Sequence, residues 1–255
     1  MGRRSTIVQI WALRIMATAC GLAAQRPAAA DGIEADFEAG VVSASRNDVR
    51  IPGAGGTNLS LVDELSSPPT PVFRLRAGYR FANRHLVTAL YAPLRINATG
   101  VLDSDETFAG QTYPAGSSLV GVYRFDSYRL TYRYSFVRNE TVELAGGLTG
   151  KIRDAEVSLY GAETARKTNT GFVPLLNFHI EWRPGGGSFG VLFDADALAA
   201  PQGRAEDILL AATWAASDLV TLRIGYRTIE GGADNDKVYS FAWLHYVVGG
   251  VDLRF

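Results

Sequence analysis

Two carboxylates and one imidazole on neighbouring predicted strands form the first group in this sequence that could support acid–base chemistry. Asp194 and Asp196 are separated by a single residue, so their side chains share one face of a strand. His179 precedes the predicted turn at 184–187, and pairing across that turn sets it opposite Leu192 and diagonal to Asp194. That placement would allow proton exchange between the histidine and the carboxylate. The competing interpretation is that all three are structural polar residues of an interior.

His245 is a second residue whose surroundings could support chemistry. Strict alternation in the last segment places it on the apolar face, between Trp243 and Val247. An imidazole there could act as a general base if a nucleophile lay beside it. Three structural interpretations compete with catalysis. They are a polar environment that includes Tyr246, a bulge that turns His245 to the other face, and a polar contact with the neighbouring strand.

Two polar, glycine-containing segments form a third candidate site, at 201–207 and 230–237. Together they carry five carboxylates, which could bind a Ca2+ ion or bridge lipopolysaccharide phosphates through divalent cations. The acidic run at 234–236 lacks the spacing and the terminal glutamate of a complete calcium-binding loop. The alternative is that an arginine pairs with these acids and ties the two loops together. The residues of this predicted rim site are Arg204, Glu206, Asp207, Glu230, Asp234 and Asp236.

These residues are carried by ten stretches of alternating apolar and polar residues, separated in turn by short turns and longer polar loops. The pattern predicts an all-β fold, a single antiparallel up-and-down transmembrane β-barrel of about ten strands with short periplasmic turns and longer extracellular loops. Eight or twelve strands would follow if a long segment were split or merged differently. The predicted strands are 32–45, 71–82, 85–97, 117–137, 141–159, 171–183, 188–199, 206–216, 219–230 and 238–255, and the predicted loops are 46–70, 98–116, 160–170, 200–205 and 231–237.

The two faces of the predicted strands differ in composition. In the second strand, Phe73 and Leu75 flank Arg74, so apolar and charged residues take opposite faces. Aromatic residues close to strand ends, such as Trp182 and Trp214, are typical of the girdles at membrane interfaces. We therefore expect the apolar face to meet lipid and the charged face to line the lumen.

Arginine dominates the predicted lumen, and the whole chain contains only three lysines. A guanidinium group can bind carboxylates through two parallel hydrogen bonds, which suits a crowded interior. One interpretation is an ion-pair plug, which the small diameter of a ten-stranded barrel favours. The other is a narrow, anion-preferring channel lined by surplus arginines. The predicted lumen network comprises Arg74, Arg76, Arg129, Arg133, Lys151, Arg153, Glu181, Asp194, Asp196, Arg223 and Arg227, with further inward charges at Arg80, Arg95, Glu143, Asp252 and Arg254.

The N-terminus predicts export. Two arginines precede an apolar stretch and a run of small residues before Asp31, so residues 1–30 are interpreted as a cleavable signal peptide and residues 31–255 as the barrel domain. Cys20 is the only cysteine, which leaves the mature chain without a disulfide or a thiolate metal site. Lipidation of Cys20 is the alternative, although the leucine usual in lipoprotein signals is absent.

Charge and hydropathy exclude other classes of protein. Removing residues 1–30 takes away four arginines and changes the formal net charge from −1 to −5. No basic excess remains, so the chain has no electrostatic footprint for nucleic acid. Residues 31–255 contain no apolar run of eighteen that would predict a spanning helix.

The C-terminus supports the same class. Val251, Leu253 and Phe255 alternate with polar residues up to the last position. With the signal peptide and the alternation, this ending resembles that of small bacterial outer-membrane β-barrel proteins. The resemblance implies an outer-membrane location, contact with membrane lipid and lipopolysaccharide, and the barrel-assembly machinery as a biogenesis partner that reads these three residues.

Two enzyme classes of this membrane resemble the chain only in part. Ten-stranded omptin-type proteases use paired aspartates and an aspartate–histidine couple at the extracellular rim, whereas this chain has no Asp-x-His and His179 lies close to a predicted periplasmic turn. Outer-membrane lipid A deacylases place a catalytic histidine on the lipid-facing side, with a serine two residues later. Here that position is Val247.

The sequence therefore predicts an outer-membrane barrel with a structural, adhesive or envelope-organising role and a lumen largely filled by side chains. A narrow anion-preferring passive channel is one alternative. A lipid- or peptide-hydrolysing enzyme is the other, and its candidate catalytic residues are His245, His179, Asp194 and Asp196. The only cofactor considered is a Ca2+ ion at the extracellular rim.

Overall fold

The computed structural model describes residues 31–200 and 203–255, which form a closed antiparallel β-barrel with ten strand positions. The predicted signal peptide, Cys20 and residues 201–202 lie outside the described residues. Within the described residues, no helix is both long and apolar enough to cross a membrane. The strands are β1 (Gly32–Arg50), β2 (Leu59–Ser60), β3 (Thr70–Phe81), β4 (His85–Ala92), β5 (Arg95–Val101), β6 (Glu106–Phe108), β7 (Gln111–Tyr113), β8 (Ser118–Arg138), β9 (Val142–Tyr160), β10 (Thr164–Trp182), β11 (Phe189–Ala200), β12 (Gly203–Ala215), β13 (Val220–Asn235) and β14 (Val238–Arg254).

Each strand of the barrel pairs with the next one along the chain, and β14 closes the barrel by pairing with β1. The strands β4 and β5 together occupy one position beside β8. The short strands β2, β6 and β7 belong to the connections at one end. This topology confirms the predicted fold class and the number of strands.

Short turns join the strands at the end where the described chain both begins and finishes. Between β3 and β4, Ala82 and Asn83 have φ of 46° and 60°. Two successive left-handed residues are typical of a type I′ turn, whose twist matches that of the flanking strands. A 3-10 turn at Pro184–Gly186 connects β10 to β11. This is the end that the sequence predicts to face the periplasm.

At the opposite end the strands extend further than the sequence indicates. The predicted loop at 160–170 is mostly strand, since β9 runs to Tyr160 and β10 starts at Thr164. The predicted loops at 200–205 and 231–237 are likewise shortened by β11, β12 and β13. The loop predictions were wrong because, beyond the lipid, the outer face of a strand is polar as well, and the alternation of hydrophobicity fades.

The predicted strand at 85–97 is interrupted at Pro93 and Leu94, where β4 gives way to β5. Proline cannot donate to a ladder, which accounts for the break. On β5 the apolar Ile96 and Ala98 are buried inside, and Arg95 is exposed. The prediction of an inward Arg95 was therefore wrong, because the interior at this height is apolar.

A continuous apolar surface surrounds the barrel. Its upper limit is sharp on β8, where outward Tyr128 is followed by outward Asp126. The neighbouring strand repeats the change, from Ile152 to Asp154. Above this limit the outer wall is charged, so we place the membrane boundary here. The exposed apolar residues below it include Phe37, Val41, Phe73, Leu75, Tyr79, Tyr91, Tyr128, Leu130, Tyr132, Leu148, Ile152, Phe172, Phe178, Ile180, Trp182, Phe189, Leu210, Trp214, Ile224, Tyr226, Val247 and Phe255.

The interior has two levels of different chemistry. The half beside the short turns contains buried charged side chains. The other half contains an apolar cluster to which the connection between β1 and β3 contributes. Members of this cluster include Val42, Val49, Ile51, Leu59, Leu61, Leu65, Ile96, Leu102, Phe108, Leu119, Tyr123, Leu159, Leu244 and Tyr246.

Candidate functional site

The charged level of the lumen is a layer of interlocked ion pairs with Asp207 at its centre. The Asp207 carboxylate lies 3.0 Å from Arg74 and 2.6 Å from Arg129, and it also pairs with Arg227. Glu38 lies 3.6 Å from Arg74 and 2.9 Å from Arg227. Two carboxylates therefore share three guanidinium groups, all of them buried.

A third carboxylate, that of Asp196, extends this layer towards β10 and β11. Asp196 accepts hydrogen bonds from Arg129 at 2.7 Å, from Thr149 at 2.8 Å and from the amide of Asn177 at 2.8 Å. Side chains from four strands thus meet at the Asp196 carboxylate, and its hydrogen bonds are those that a buried polar group requires.

Asp194 and His179 do meet, but through a different register from the predicted one. They are directly opposite each other in the β10–β11 ladder, and Nδ1 of His179 lies 2.9 Å from the Asp194 carboxylate. The predicted diagonal pairing was wrong because the 3-10 turn delays the start of β11 to Phe189. Arg133 contacts Asp194 at 2.6 Å and His179 at 3.0 Å, and Arg76 lies 3.9 Å from Asp194. Arginines therefore occupy the surroundings of this pair.

Three acids of β1 were not predicted from the sequence as lumen residues. Glu34, Asp36 and Glu38 alternate in the sequence and point into the lumen, where Asp36 pairs with Arg223 and Glu34 lies 2.6 Å from Arg80. With them, each arginine of the charged level pairs with a carboxylate, so the described residues show no surplus of unpaired arginine at this level. The arginines are Arg74, Arg76, Arg80, Arg129, Arg133, Arg223, Arg227 and Arg254, the acids are Glu34, Asp36, Glu38, Glu143, Glu181, Asp194, Asp196, Asp207 and Asp252, and Lys151 and Arg153 line the cavity of the apolar level.

Three potential metal ligands converge near the short turns. One ligand atom from each of Glu143, His179 and Glu181 lies within 4.8 Å of the others. The carboxylate of Glu143 already pairs with Arg80 at 3.2 Å. That of Glu181 is 3.0 Å from Arg183. Because guanidinium groups neutralise both carboxylates, the donor set does not fit a divalent cation.

The apolar level encloses a cavity of about 100 Å³. Lys151 lies on its wall, with Nζ 4.8 Å from the centre of the Phe125 ring, and the ion pairs of the described residues give it no carboxylate. Both amide atoms of Asn47 and Nε of Arg153 are buried there without a hydrogen-bond partner in the described structure. The cavity thus presents polar groups without partners, while the remaining wall is mostly apolar.

The connection between β1 and β3 closes the lumen above this cavity. Leu59, Leu61 and Leu65 are each about 1% exposed and pack into the apolar cluster. The backbone N–H of Ser60 donates to Glu64 at 2.7 Å. Glu64 is exposed, but partial desolvation beside the packed connection raises its pKa, and the nearby acids act in the same direction.

The described residues of the predicted rim site do not all lie together. Asp207 is buried in the lumen, since the segment around it is strand rather than loop. Arg204 pairs with Glu230 and lies over the Phe241 ring, which agrees with the alternative that an arginine connects the two segments. Glu206 is half-buried, Asp234 lies 3.9 Å from Arg50, and Asp236 is exposed. Within the described residues, these acids form no group with metal-ligand spacing.

Charged residues continue around the outer wall above the apolar surface. Arg124 lies 2.8 Å from Asp126, 2.7 Å from Asp154 and 3.5 Å from Glu156. These hydrogen bonds raise the pKa of Arg124 and lower that of Asp154. Arg166 adds a contact of 3.3 Å to Glu156.

His245 faces outward and meets a serine that the sequence analysis missed. Its Nε2 lies 2.7 Å from Oγ of Ser45 on β1, across the strand pair that closes the barrel. Its Nδ1 hydrogen-bonds the Tyr226 hydroxyl on β13. The serine was missed because it is 200 positions away in the chain. The signal that could have found it is the outward alternation of Ser43 and Ser45 on the strand that must pair with the last one.

The predicted assembly signal lies in β14 and at its end. Val251 is opposite Phe37, and the backbone N–H of Phe255 donates to the carbonyl of Ile33. The Phe255 ring is exposed on the outer surface.

Comparisons with known proteins identify the fold alone. The chain is similar to the outer membrane protease OmpT from Escherichia coli, with 8% identity and a TM-score of 0.54 over 88% of this chain and 97% of that chain. The translocator domain of the autotransporter NalP from Neisseria meningitidis shows 12% identity and a TM-score of 0.46 over 97% and 96%. Ail, the attachment invasion locus protein of Yersinia pestis, shows 14% identity and a TM-score of 0.38 over 88% and 99%. No protein-family model and no curated protein matches the sequence.

Proposed function

We propose that this chain, which has the closed ten-stranded fold of the bacterial outer-membrane β-barrel proteins, is a structural, adhesive or envelope-organising component of the outer membrane that works through its outer surface. The observation that carries the proposal is the occupied lumen. Ion pairs fill the charged level and apolar side chains fill the other. A protein that conducts nothing must act through the surface it presents to lipid, lipopolysaccharide and the exterior.

The sizes of the cavities support a closed lumen. The cavity beside the short turns has about 70 Å³ and the one in the apolar level about 100 Å³, each enough for a few water molecules. Between them, the space around Arg74, Arg129 and Tyr246 is about 20 Å³, enough for about one water molecule. A hydrated ion would have to break the buried ion pairs of this layer to pass.

The partners in this proposal follow from the outer surface. Membrane lipid covers the apolar residues, and lipopolysaccharide meets the charged wall that begins at Asp126 and Asp154. The barrel-assembly machinery acts during biogenesis on Val251, Leu253 and Phe255. Calcium at the rim is not included, because the acids of the rim do not converge in the described structure.

Single-channel conductance in a planar bilayer tests this function. We expect the refolded protein to be electrically silent in the bilayer. Folding would be verified by heat-dependent gel mobility, and insertion by co-flotation with lipid vesicles. Discrete, steady conductance steps from folded protein would refute the closed lumen and make passive transport the function.

A further inference from the structure

The outer surface carries a serine–histidine pair with the geometry of an activated nucleophile. Oγ of Ser45 and Nε2 of His245 are 2.7 Å apart, within the range for proton transfer from a nucleophile to its base. The Tyr226 hydroxyl holds the other ring nitrogen. The rings of Trp243 and Tyr226 lie 5.2 and 6.1 Å from the imidazole, so its orientation is fixed on both sides.

The position of the pair along the barrel axis indicates which part of a membrane lipid it can contact. His245 is opposite Ser43 and Thr228, one outward position above Val41, Val247 and Tyr226, which are exposed and apolar. The Trp243 indole beside it donates to Thr228 at 3.0 Å. Tryptophan of this kind sits at the level of lipid headgroups. The serine hydroxyl therefore lies at the depth where acyl chains of the outer leaflet are joined to their headgroups by ester bonds.

A β-bulge in the backbone exposes the side chain of Ser45. The β1–β14 ladder passes from Ala44 to Arg46, so Ser45 is the extra residue of a β-bulge. Bulges leave the extra residue unpaired and re-aim its side chain, and they are frequent beside active sites. The pairing of β1 with β3 has already ended at Val42. Ser45 is exposed.

We propose that Ser45 and His245 form a catalytic pair that hydrolyses ester-linked acyl chains of outer-leaflet lipids, an activity that goes beyond the function proposed above. Ser45 Oγ attacks the ester carbonyl while its proton passes to His245 Nε2. Collapse of the tetrahedral intermediate breaks the ester bond, and the imidazolium returns the proton to the departing alcohol. Water then attacks the acyl-serine, again through His245, and releases the fatty acid with the free serine.

Two further residues complete the site. Tyr226 is a positioning residue, because it touches the base and not the substrate. Arg46 follows the nucleophile directly, and its side chain is 47% exposed. It is held by Asp48 at 2.6 Å and Tyr239 at 2.9 Å, in a position suited to the phosphate of an anionic headgroup.

The competing structural interpretation is that these hydrogen bonds only fasten β1, β13 and β14 together. A fastening role predicts that variants change stability and nothing else. A catalytic role predicts a serine that reacts with electrophiles, and this reactivity must depend on His245. The two roles can therefore be separated in protein that is shown to be folded.

The chain offers matched controls for both residues. Ser43 is exposed on the same strand two residues before Ser45 and lies opposite the same histidine. His85 also faces outward and hydrogen-bonds a tyrosine hydroxyl, that of Tyr132 at 2.8 Å, but the hydrogen bonds of the described structure give it no serine. The variants are Ser45→Ala and His245→Ala, with Ser43→Ala and His85→Ala as their controls.

The experiment labels the full-length expressed protein, folded in non-ionic detergent, with a fluorophosphonate probe and locates the adduct by peptide mass spectrometry. Fatty-acid release is then measured from mixed micelles of phospholipid and, separately, of lipopolysaccharide. We expect an adduct on Ser45, lost in Ser45→Ala, reduced at least 100-fold in His245→Ala, and retained in both controls. Tyr226→Phe should lower kcat about tenfold with KM unchanged, which a fastening role would not produce.

Release from either lipid supports the proposal and identifies the source of the ester. Absence of both adduct and release in folded protein, an adduct elsewhere, or equal loss in the control variants would overturn it. Conductance does not enter this test, so the outcome is independent of whether the lumen is closed.

Discussion

The substitution Asp207→Asn tests whether the ion-pair layer holds the barrel together. Its carboxylate pairs with Arg74, Arg129 and Arg227, and the four side chains are only 3–6% exposed. The amide keeps the shape and removes the charge. Breaking a buried ion pair by removing one partner typically costs about 3–5 kcal/mol, since an uncompensated charge remains.

The surrounding pairs decide where in that range the loss falls. Arg74 and Arg227 keep Glu38, and Arg129 keeps Asp196. Because no guanidinium is left without a carboxylate, we expect the lower end, about 3 kcal/mol in the free energy of unfolding. That corresponds to roughly a 150-fold change in the folding equilibrium.

Urea titration of the protein folded into lipid vesicles, followed by tryptophan fluorescence, measures this loss. Asp234→Asn is the matched control, since its carboxylate is 73% exposed and lies 3.9 Å from Arg50. The control should change stability by less than about 1 kcal/mol. A loss for Asp207→Asn no larger than that of the control would refute the reasoning, and would mean that water reaches this layer.

Two further predictions concern the apolar level. Lys151→Met should leave the free energy of unfolding unchanged or raise it by about 1–2 kcal/mol in the same titration. The reason is that an apolar group replaces a buried cation that has no carboxylate in the described ion pairs. A loss of stability above about 1 kcal/mol would contradict this. Partial desolvation and the nearby acids raise the pKa of Glu64, so the protonated form favours the packed connection, and that contribution is lost as pH rises through the folded-state pKa. Limited proteolysis between β1 and β3 should therefore accelerate with rising pH, and Glu64→Gln should remove this dependence; the same pH profile in the variant would contradict it.

The alternation of apolar and polar residues predicted the fold well because a strand that spans a membrane requires this pattern. Where one face meets lipid, as at Phe73, Leu75 and Tyr79 on β3, every second side chain must be apolar, and the sequence shows it. Asp207, at the start of the predicted strand 206–216, was assigned to the extracellular rim, although it is buried in the lumen on β12. Its neighbours Leu209 and Ala211 on β12 are buried on the same inward face.

The candidate sites were less predictable because they depend on contacts across strands. The turn at Pro184–Gly186 moved the register by two residues and set His179 directly opposite Asp194. Ser45 meets His245 only when the two ends of the chain close the barrel. Alternation assigns a side chain to a face, whereas distances across a ladder depend on turn lengths and closure, which a single sequence specifies weakly.

The long hairpins above the apolar surface determine what the exterior of the cell encounters. A macromolecule that approached this end would meet paired strands over much of the surface. Substitutions on its outward positions can alter an epitope and leave the backbone unchanged. Between β9 and β10, insertions are restricted to the short tip at 161–163. Surface variation in this protein should therefore accumulate as point changes on a rigid wall, in contrast to the length variation of long loops.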